Sequence, residues 1–188
     1  MSSLEWVAVA PRAADEDAFS VLVESTYADL LRYAARRVGP DAAADVVADV
    51  FLVAWRRRDA MPADAARLWL FGVAHRVVAN HLRGELRRER LAARLASEPP
   101  DPALGHPDGA ADADVVRAAL GRLRDSEQEA LRLTEWEQLS IEEAAAVVGI
   151  SRGAFRVRLH RARRRLAAEL ADTRSQDQHQ NHPLGDPS

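Results

Sequence analysis

Residues 140 to 166 read SIEEAAAVVGISRGAFRVRLHRARRRL, and this stretch decides the fold of the second half of the chain. Ser140 and Glu143 have the spacing of a capping box, which predicts the start of a helix. Gly149 is placed to end that helix with a positive φ, and Ser151 can cap a second helix. The spacing therefore predicts two helices joined by a short turn that contains glycine, which is the helix-turn-helix pattern.

Both predicted helices carry one apolar face, because their apolar residues recur at three- and four-residue steps. The expected core positions are Ile141, Ala144, Ala145, Val148, Phe155, Leu159, Ala162 and Leu166.

The second helix carries seven arginines between residues 152 and 165 and no acidic residue. Charge runs are usually solvated surface, so their position on the helix matters more than their number. Here a glycine, a small apolar residue, a histidine and several arginines lie opposite the core. Such a face can enter the major groove, contact base edges and bind phosphates. The residues expected to bind DNA are Arg152, Gly153, Arg156, Val157, His160, Arg161 and Arg164.

The net charge of −3 hides a strong separation of charge along the 188 residues. Residues 125 to 143 hold seven acids against one arginine, whereas residues 152 to 165 carry +7. All 26 basic residues are arginine. Arginine suits phosphate and guanine recognition, but together with abundant alanine the excess is better explained by a GC-rich genome.

Composition excludes several classes of protein. The chain has no cysteine, so it cannot form disulfides or a cysteine-based zinc site. No apolar run approaches the ~20 residues that span a bilayer, and the N-terminus lacks the features of a signal peptide. The histidines lack ligand spacing, and neither a phosphate-binding glycine loop nor a Ser-His-Asp pattern occurs. We therefore expect a cytoplasmic protein that is not an enzyme and has no metal, no other cofactor and no small-molecule substrate.

The first half of the chain has helical periodicity without any strand-like alternation, which predicts an all-α fold. Three helices are expected before a linker with four prolines and two glycines, and a second helical set follows it, with a further capping box at Ser126 and Glu129. The predicted organisation is a flexible leader (1–16), a helical bundle (17–92), a linker (93–111), a helix-turn-helix domain (112–172) and a disordered tail (173–188).

Two polar stripes occur on the predicted bundle. On its third helix Arg76, Asn80, Arg83 and Arg87 recur at helical spacing, which favours contact with a nucleic-acid backbone over a merely solvated face. The neighbouring Trp69 and Phe71 are expected in the core. On the second helix the outward residues are Asp45, Asp49, Leu52 and Arg56, for which a solvated face is an equally good interpretation.

The order of these parts resembles a bacterial sigma factor of the extracytoplasmic-function (ECF) group of the sigma-70 family, the two-domain type. The matching segments are DAAADVVADVFLVAWRR (41–57), RLWLFGVAHRVVANHLR (67–83) and EQLSIEEAAAVVGISRGAFRVRLHRARRRL (137–166). The last motif is the most specific. The first predicted domain resembles region 2 of the family and the second resembles region 4.

The resemblance implies that the chain binds core RNA polymerase and directs it to promoters. It assigns the stripe on the second helix to polymerase, and the third helix with the loop before it to the −10 element. Within residues 57 to 67 it implies a pocket for a flipped base. The recognition helix would bind the −35 element through Arg156, Val157, His160 and Arg161. An anti-sigma factor is a further partner that the family implies, although no residue identifies it.

This sequence departs from the family at several positions. Arg76 and Asn80 stand where asparagine and aspartate are frequent, which affects the −10 contacts most. Val157 replaces a small polar residue and could contact a thymine methyl group. The usual proline before the first helix of region 4 is missing, and the Ser126 capping box is expected to start that helix.

Three alternatives compete with this interpretation. The chain could be a helix-turn-helix activator or repressor that does not associate with polymerase, but no sensor domain is evident before residue 97. An enzyme is disfavoured by the missing catalytic patterns. A pure interaction module, such as an antagonist of sigma factors, would not require seven uncompensated arginines on one helix.

Overall fold

The computed structural model describes residues 13–95 and 111–180, and every regular element within these ranges is helical. The all-α prediction is therefore confirmed. The chain divides into two compact units, with the boundary between Ala92 and Ala93. The α-helices are α1 (Ala13–Val38), α2 (Pro40–Arg56) and α3 (Ala66–Leu95), then α4 (Ala111–Gly121), α5 (Asp125–Leu131), α6 (Ile141–Val148) and α7 (Arg152–Gln180).

Helices α1 and α2 form a tight hairpin, because Gly39 alone separates them. Its φ of 83° is a conformation that glycine adopts without steric cost, and its N–H donates to the carbonyl of Ala35 at 3.1 Å. Pro40 then opens α2 at a position where a proline N–H would have no helical partner anyway. The helices run antiparallel, since the ring of Phe19 near the start of α1 lies 5.0 Å from that of Trp55 near the end of α2.

The core of the first unit is centred on two aromatic rings. Tyr33 of α1 and Phe71 of α3 are both almost fully buried, with their centroids 5.5 Å apart in an edge-to-face arrangement. Phe71 lies in the core as predicted, whereas Trp69 is only half-buried. The other buried apolar residues of this unit are Leu30, Ala34, Ala43, Val46, Val47, Val50, Ala54, Leu70, Val73, Ala74 and Val78.

The predicted capping box at Ser126 and Glu129 is wrong. Helix α5 begins at Asp125, two residues earlier than a cap at Ser126 would allow, so Ser126 already lies within the first turn and cannot cap it. Arg124 is the N-cap, and Glu127 takes the role expected of Glu129, because its carboxylate accepts a hydrogen bond from the N–H of Arg124 at 3.2 Å. The start of α5 is thus stabilised without the proline that is frequent in the family.

Helix α5 continues into a wider π-helical turn, Arg132–Trp136, that the sequence did not predict. The Thr134 hydroxyl donates to the carbonyl of Ala130 at 3.0 Å, a local bond that competes with regular helix geometry. Gln138 then has a φ of 55°, and the chain reverses towards α6. The π-helical turn therefore sets the direction from which the helix-turn-helix begins.

The core of the second unit confirms most of the predicted face of α6 and α7. Val147 is buried, whereas Ile141 and Val148 are only half-buried, so the face of α6 is rotated slightly from the expected one. The remaining buried apolar residues are Ala119, Leu120, Leu123, Ala130, Leu131, Leu133, Leu139, Ala144, Ala145, Phe155, Leu159 and Ala162.

Helices extend further at the ends of the units than the sequence predicted. Residues 13 to 16, expected in the leader, belong to α1, and residues 93 to 95, expected in the linker, belong to α3. Residues 173 to 180, expected to be disordered, continue α7. No glycine or proline interrupts these segments, and adding residues to an existing helix costs far less than starting one. Residues 1–12, 96–110 and 181–188 lie outside the described residues.

Candidate nucleic-acid interface

Side-chain hydrogen bonds fix the start of α6 and the start of α7. The Ser140 hydroxyl accepts from the N–H of Glu143 at 3.2 Å, and the Glu143 carboxylate accepts from the N–H of Ser140 at 2.8 Å. Gly149 ends α6 with φ 70° and ψ 36°, and the Ser151 hydroxyl accepts from a backbone N–H of α7 at 3.2 Å. The predicted capping box, glycine stop and serine cap are all confirmed, and α6 and α7 form a helix-turn-helix.

Helix α7 has one face in the core and one face in solvent. Phe155, Leu159 and Ala162 are buried, and Leu166 is half-buried. On the opposite side the side chain of Val157 is 51% exposed. All residues that the sequence assigned to DNA binding on this helix are exposed: Arg152, Gly153, Arg156, Val157, His160, Arg161 and Arg164.

Ion pairs divide the seven arginines between residues 152 and 165 of α7 into two groups. Three of them bond to glutamates of α5, the π-helical turn and α6: Arg165 to Glu127 at 2.7 Å, Arg163 to Glu135 at 2.7 Å, and Arg152 to Glu142. Among the described residues the other four bond to no other group: Arg156, Arg158, Arg161 and Arg164. The acidic segment seen in the sequence thus neutralises part of the helix that follows it.

The basic stripe on α3 is exposed as predicted at Arg76, Asn80, Arg83 and Arg87. The Arg83 guanidinium donates to the Asn80 side-chain oxygen at 2.6 Å and to the Ala79 carbonyl at 3.0 Å. These bonds lie within a single helix and in solvent, where they contribute little to stability. The stripe therefore presents cationic groups that can rearrange around a ligand.

A cavity of about 200 Å³ lies between the start of α1 and the connection from α2 to α3. The connection includes a short 3-10 turn, Arg58–Ala60. The guanidinium of Arg58 lies 4.4 Å from the ring centroid of Trp55 and donates to the Trp55 carbonyl at 2.9 Å. An aromatic ring, a guanidinium and a carboxylate are groups that can stack on a base and bond to its edge. The cavity is lined by Ala18, Phe19, Arg58, Asp59 and Met61.

The second predicted stripe lies on the solvent side of α2. Leu52 is 46% exposed although it lies in the middle of an amphipathic helix. The other stripe residues, Asp45, Asp49 and Arg56, are exposed as well. An exposed leucine can pack against another protein, and the charged residues around it can form the polar rim of such a contact.

One cluster that positions α3 was missed by the sequence analysis. The Arg67 guanidinium donates to one oxygen of the Asp29 carboxylate through Nη2 at 2.9 Å and Nε at 3.2 Å. Arg32 bonds to the other oxygen at 2.5 Å, and Arg67 also lies 4.9 Å from the ring centroid of Phe71. These contacts join α1 to the first turn of α3, 38 residues later. No local sequence pattern indicates a pair so distant along the chain.

Within the described ranges no helix is long and apolar enough to cross a membrane. In the same part of the chain no group of three histidine or acidic side chains is arranged to hold a metal ion.

Two families match this chain, one for each unit. Residues 22–88 match Sigma-70 region 2, and residues 113–166 match Sigma-70, region 4. The ECF RNA polymerase sigma factor SigC of Mycobacterium tuberculosis is 32% identical over 156 residues, which cover 81% of this chain and 83% of that protein. The chain belongs to the ECF group of the sigma-70 family. Its sequence-based assignment is confirmed.

Other members of the group show a similar likeness. The ECF sigma factor BldN of Streptomyces coelicolor is 32% identical over 171 residues, which cover 86% of this chain and 63% of that protein. The structure of CnrH in complex with the cytosolic domain of CnrY has a TM-score of 0.61 at 31% identity, with 84% of this chain and 90% of that chain covered. The sigma factor RpoE in complex with the anti-sigma factor NepR from Bartonella quintana shares the fold, with a TM-score of 0.66 at 24% identity over 82% and 98% of the chains.

Membership of this family fixes the activity. The protein is an RNA polymerase sigma factor that binds core polymerase and promoter DNA and directs transcription initiation. It is a transcription factor and not an enzyme. The alternatives of a polymerase-independent regulator and of an interaction module are thereby excluded. The roles of individual residues are a separate question.

Proposed function

We propose that the exposed face of α7 binds the −35 element as duplex DNA. The observation that carries this assignment is the group of arginines that no glutamate neutralises, in particular Arg156, Arg161 and Arg164 around Val157. Unpaired guanidinium groups can bond to guanine edges and phosphates, while an apolar side chain contacts thymine methyl groups. His160 and Gly153 complete this face. Arg152, also assigned from the sequence, is bonded to Glu142 in the free chain.

The test is a double substitution, Arg156→Ala with Arg161→Ala, assayed with purified core polymerase. We expect promoter-specific initiation to fall by ~5- to 150-fold for each base-contacting arginine, because each contact is worth about 1–3 kcal/mol. Core binding should stay unchanged. Arg122→Ala is the matched control, since this exposed arginine of the same unit bonds to Glu169 at 3.4 Å and does not lie on α7. An equal loss of core binding would contradict the assignment.

We propose that α3 and the connection before it bind the −10 element as strands separate. The exposed residues Arg76, Asn80, Arg83 and Arg87 would follow the phosphate backbone, and the cavity beside Arg58 would hold a flipped base. The cavity supports this role because its lining combines a ring, a guanidinium and a carboxylate.

This assignment predicts a different defect from that of α7. Arg76→Ala with Arg87→Ala should reduce opening of duplex promoters, and a template with an already separated −10 region should restore much of the activity. Arg88→Ala is the control, because Arg88 is adjacent in sequence but bonds to Glu85 at 2.6 Å. If the separated template gave no recovery, or if Arg88→Ala had the same effect, α3 would have another role.

We propose that Asp45, Asp49, Leu52 and Arg56 of α2 form a contact with core polymerase. The support is the exposure of Leu52 among charges of both signs. Leu52→Ala should weaken core binding measurably, whereas Val21→Ala, which truncates an even more exposed apolar residue of α1 (65%), should not. Similar losses in the two variants would show that the contact is not specific to α2.

We infer further that the protein acts in the cytoplasm, where core polymerase and promoters are found, and that it has a protein regulator. The second inference is supported by CnrH, which was solved in complex with the cytosolic domain of CnrY. Fractionation of cells that carry a tagged chain tests the first inference, and copurification of that chain, followed by reconstitution of the complex from pure proteins, tests the second. If the partner that copurified did not reduce initiation in the reconstituted assay, the regulator would be excluded.

A further inference from the structure

On one side of α7 a row of basic residues bonds to glutamates at its two ends and not in its middle. Arg152, Arg156, His160 and Arg163 follow one another at steps of four, four and three residues, so they form a single row along the helix. Glu142 holds the arginine at one end of this row and Glu135 holds the arginine at the other end. The middle of the row makes no bond to another described residue.

The row borders the face that carries Arg161 and Arg164. In protein–DNA complexes, phosphate contacts lie beside the base contacts and supply most of the affinity that is independent of sequence. Arginines at the ends of such a row are therefore placed to contact phosphates when α7 lies in the major groove. In the free chain each of these two guanidinium groups bonds to a glutamate instead, Arg152 to Glu142 and Arg163 to Glu135.

We propose that Glu135 and Glu142 limit the sequence-independent affinity of this sigma factor for DNA. Their ion pairs with Arg163 and Arg152 must break before these arginines can bond to DNA phosphates. The inference rests on the proposed binding of DNA by α7. The acidic segment, residues 125 to 143, then acts through ion pairs with particular arginines and not through general repulsion of DNA by negative charge.

The geometry also indicates that these pairs regulate affinity and not folding. In both of them the two side chains are between 48% and 65% exposed. Exposed pairs shift an equilibrium by only about five-fold at most, so a neutral substitution leaves the fold intact. The third pair differs, because the Glu127 side chain is only 9% exposed and also caps α5. Glu127 therefore holds α7 in position and is unsuited to this test.

The experiment measures binding of the full-length chain to a fluorescent duplex without promoter sequence, over a series of salt concentrations. For Glu135→Gln and for Glu142→Gln we expect roughly two- to five-fold tighter binding. The slope of log affinity against log salt concentration should steepen by about 0.9 for each arginine released. Glu142→Gln combined with Arg152→Gln should return the slope to that of the original chain.

Asp125→Asn is the matched control. It removes one negative charge from an exposed position in the same unit, and Asp125 has no bond to α7 among the described residues. The proposal is overturned if the glutamate variants resemble Asp125→Asn, because the effect would then be general repulsion. Arg161→Ala, measured on a duplex that carries the −35 element, separates the role of α7 from that of the glutamates. If it does not weaken binding, the proposed role of α7 fails; if it does, only the role of the glutamates is in question.

Discussion

Helices α7 and α3 both present arginines to solvent, but different groups hold those arginines. On α7 three arginines bond to glutamates that come from α5, the π-helical turn and α6. On α3 the Arg67 guanidinium in the first turn bonds to Asp29 of α1, but further along the helix the bonds of exposed arginines run within the helix itself, from Arg83 to Asn80 and from Arg88 to Glu85. Ion pairs to other elements therefore occur along the DNA-facing part of α7 but not along the stripe on α3.

This difference matches the two forms of promoter DNA that a sigma factor must bind. A duplex has a nearly fixed shape, so a recognition helix benefits from being held in one orientation. Separating strands change shape, and arginines with weak local bonds can follow the backbone at little cost. We infer that the pair between Arg165 and the largely buried Glu127 holds α7 in one orientation, while the stripe on α3 stays adaptable.

The largest expected effect is a loss of stability in one unit that leaves the other unit unchanged. Phe155 is fully buried at the base of α7, so Phe155→Ala should destabilise the second unit by about 3–5 kcal/mol. Hydrogen exchange should show loss of protection in α5, α6 and α7 and unchanged protection in α1 and α2. Phe71→Ala is the reciprocal control, because Phe71 is 1% exposed in the core of the first unit. Equal loss in both units would mean that they do not fold independently.

The next effect concerns the ion pair between Arg165 of α7 and Glu127, whose side chain is 9% exposed. Glu127→Gln should cost about 1–3 kcal/mol, because it weakens charged hydrogen bonds both to Arg165 and to the N–H of Arg124. Thermal unfolding of the variant, compared with Glu135→Gln, measures the difference. Since Glu135 is exposed, its substitution should change stability by much less. Similar costs would argue against a rigid attachment of α7 through Glu127.

A smaller effect is expected at the turn that orients α7. Gly149→Ala should destabilise the second unit by roughly 1–2 kcal/mol, since alanine is strained at a φ of 70°. Gly153→Ala is the control, for which we expect a change in the free energy of unfolding of the opposite sign. Gly153 lies within α7, and nothing lies within 4 Å of an added Cβ, so alanine should stabilise the helix by about 0.5–1 kcal/mol. Denaturant unfolding gives both values, and destabilisation by Gly153→Ala would contradict this account of the turn.

The smallest effect on stability should come from the stripe on α3. Arg83→Ala removes two exposed bonds and should change the free energy of unfolding by within about 0.5 kcal/mol. Binding of the holoenzyme to a single-stranded −10 oligonucleotide should nevertheless weaken several-fold. A large loss of stability would show that the α3 stripe is fixed as firmly as α7, and the contrast between the two helices would disappear.

The helix-turn-helix could be predicted in detail because its signals are local. Ser140, Gly149 and Ser151 act within a few residues of themselves, so spacing alone identifies their roles. The start of α5 could not be predicted in this way. Both Ser126 and Glu127 suit the first turn of a helix, and the choice depends on where the preceding turn leaves the backbone.

The candidate site could be predicted as a set of exposed faces but not as a set of bonds. Periodicity places Arg152, Arg156 and Arg163 outside the core, yet it says nothing about which carboxylates they meet. Those partners, such as Glu135, lie up to 38 residues away and depend on the packing of α5 and α6 on α7. The same holds for Asp29 and Arg67 in the first unit.

The central claim is that unpaired arginines of α7 bind the −35 element. The most direct measurement is initiation by holoenzymes with and without Arg161→Ala on two templates, one with the native −35 element and one with that element scrambled. We predict a loss of roughly 5- to 150-fold on the native template and almost no further loss on the scrambled one, because the contact is already absent there. An equal loss on both templates would contradict the account, since Arg161 would then act independently of the −35 sequence.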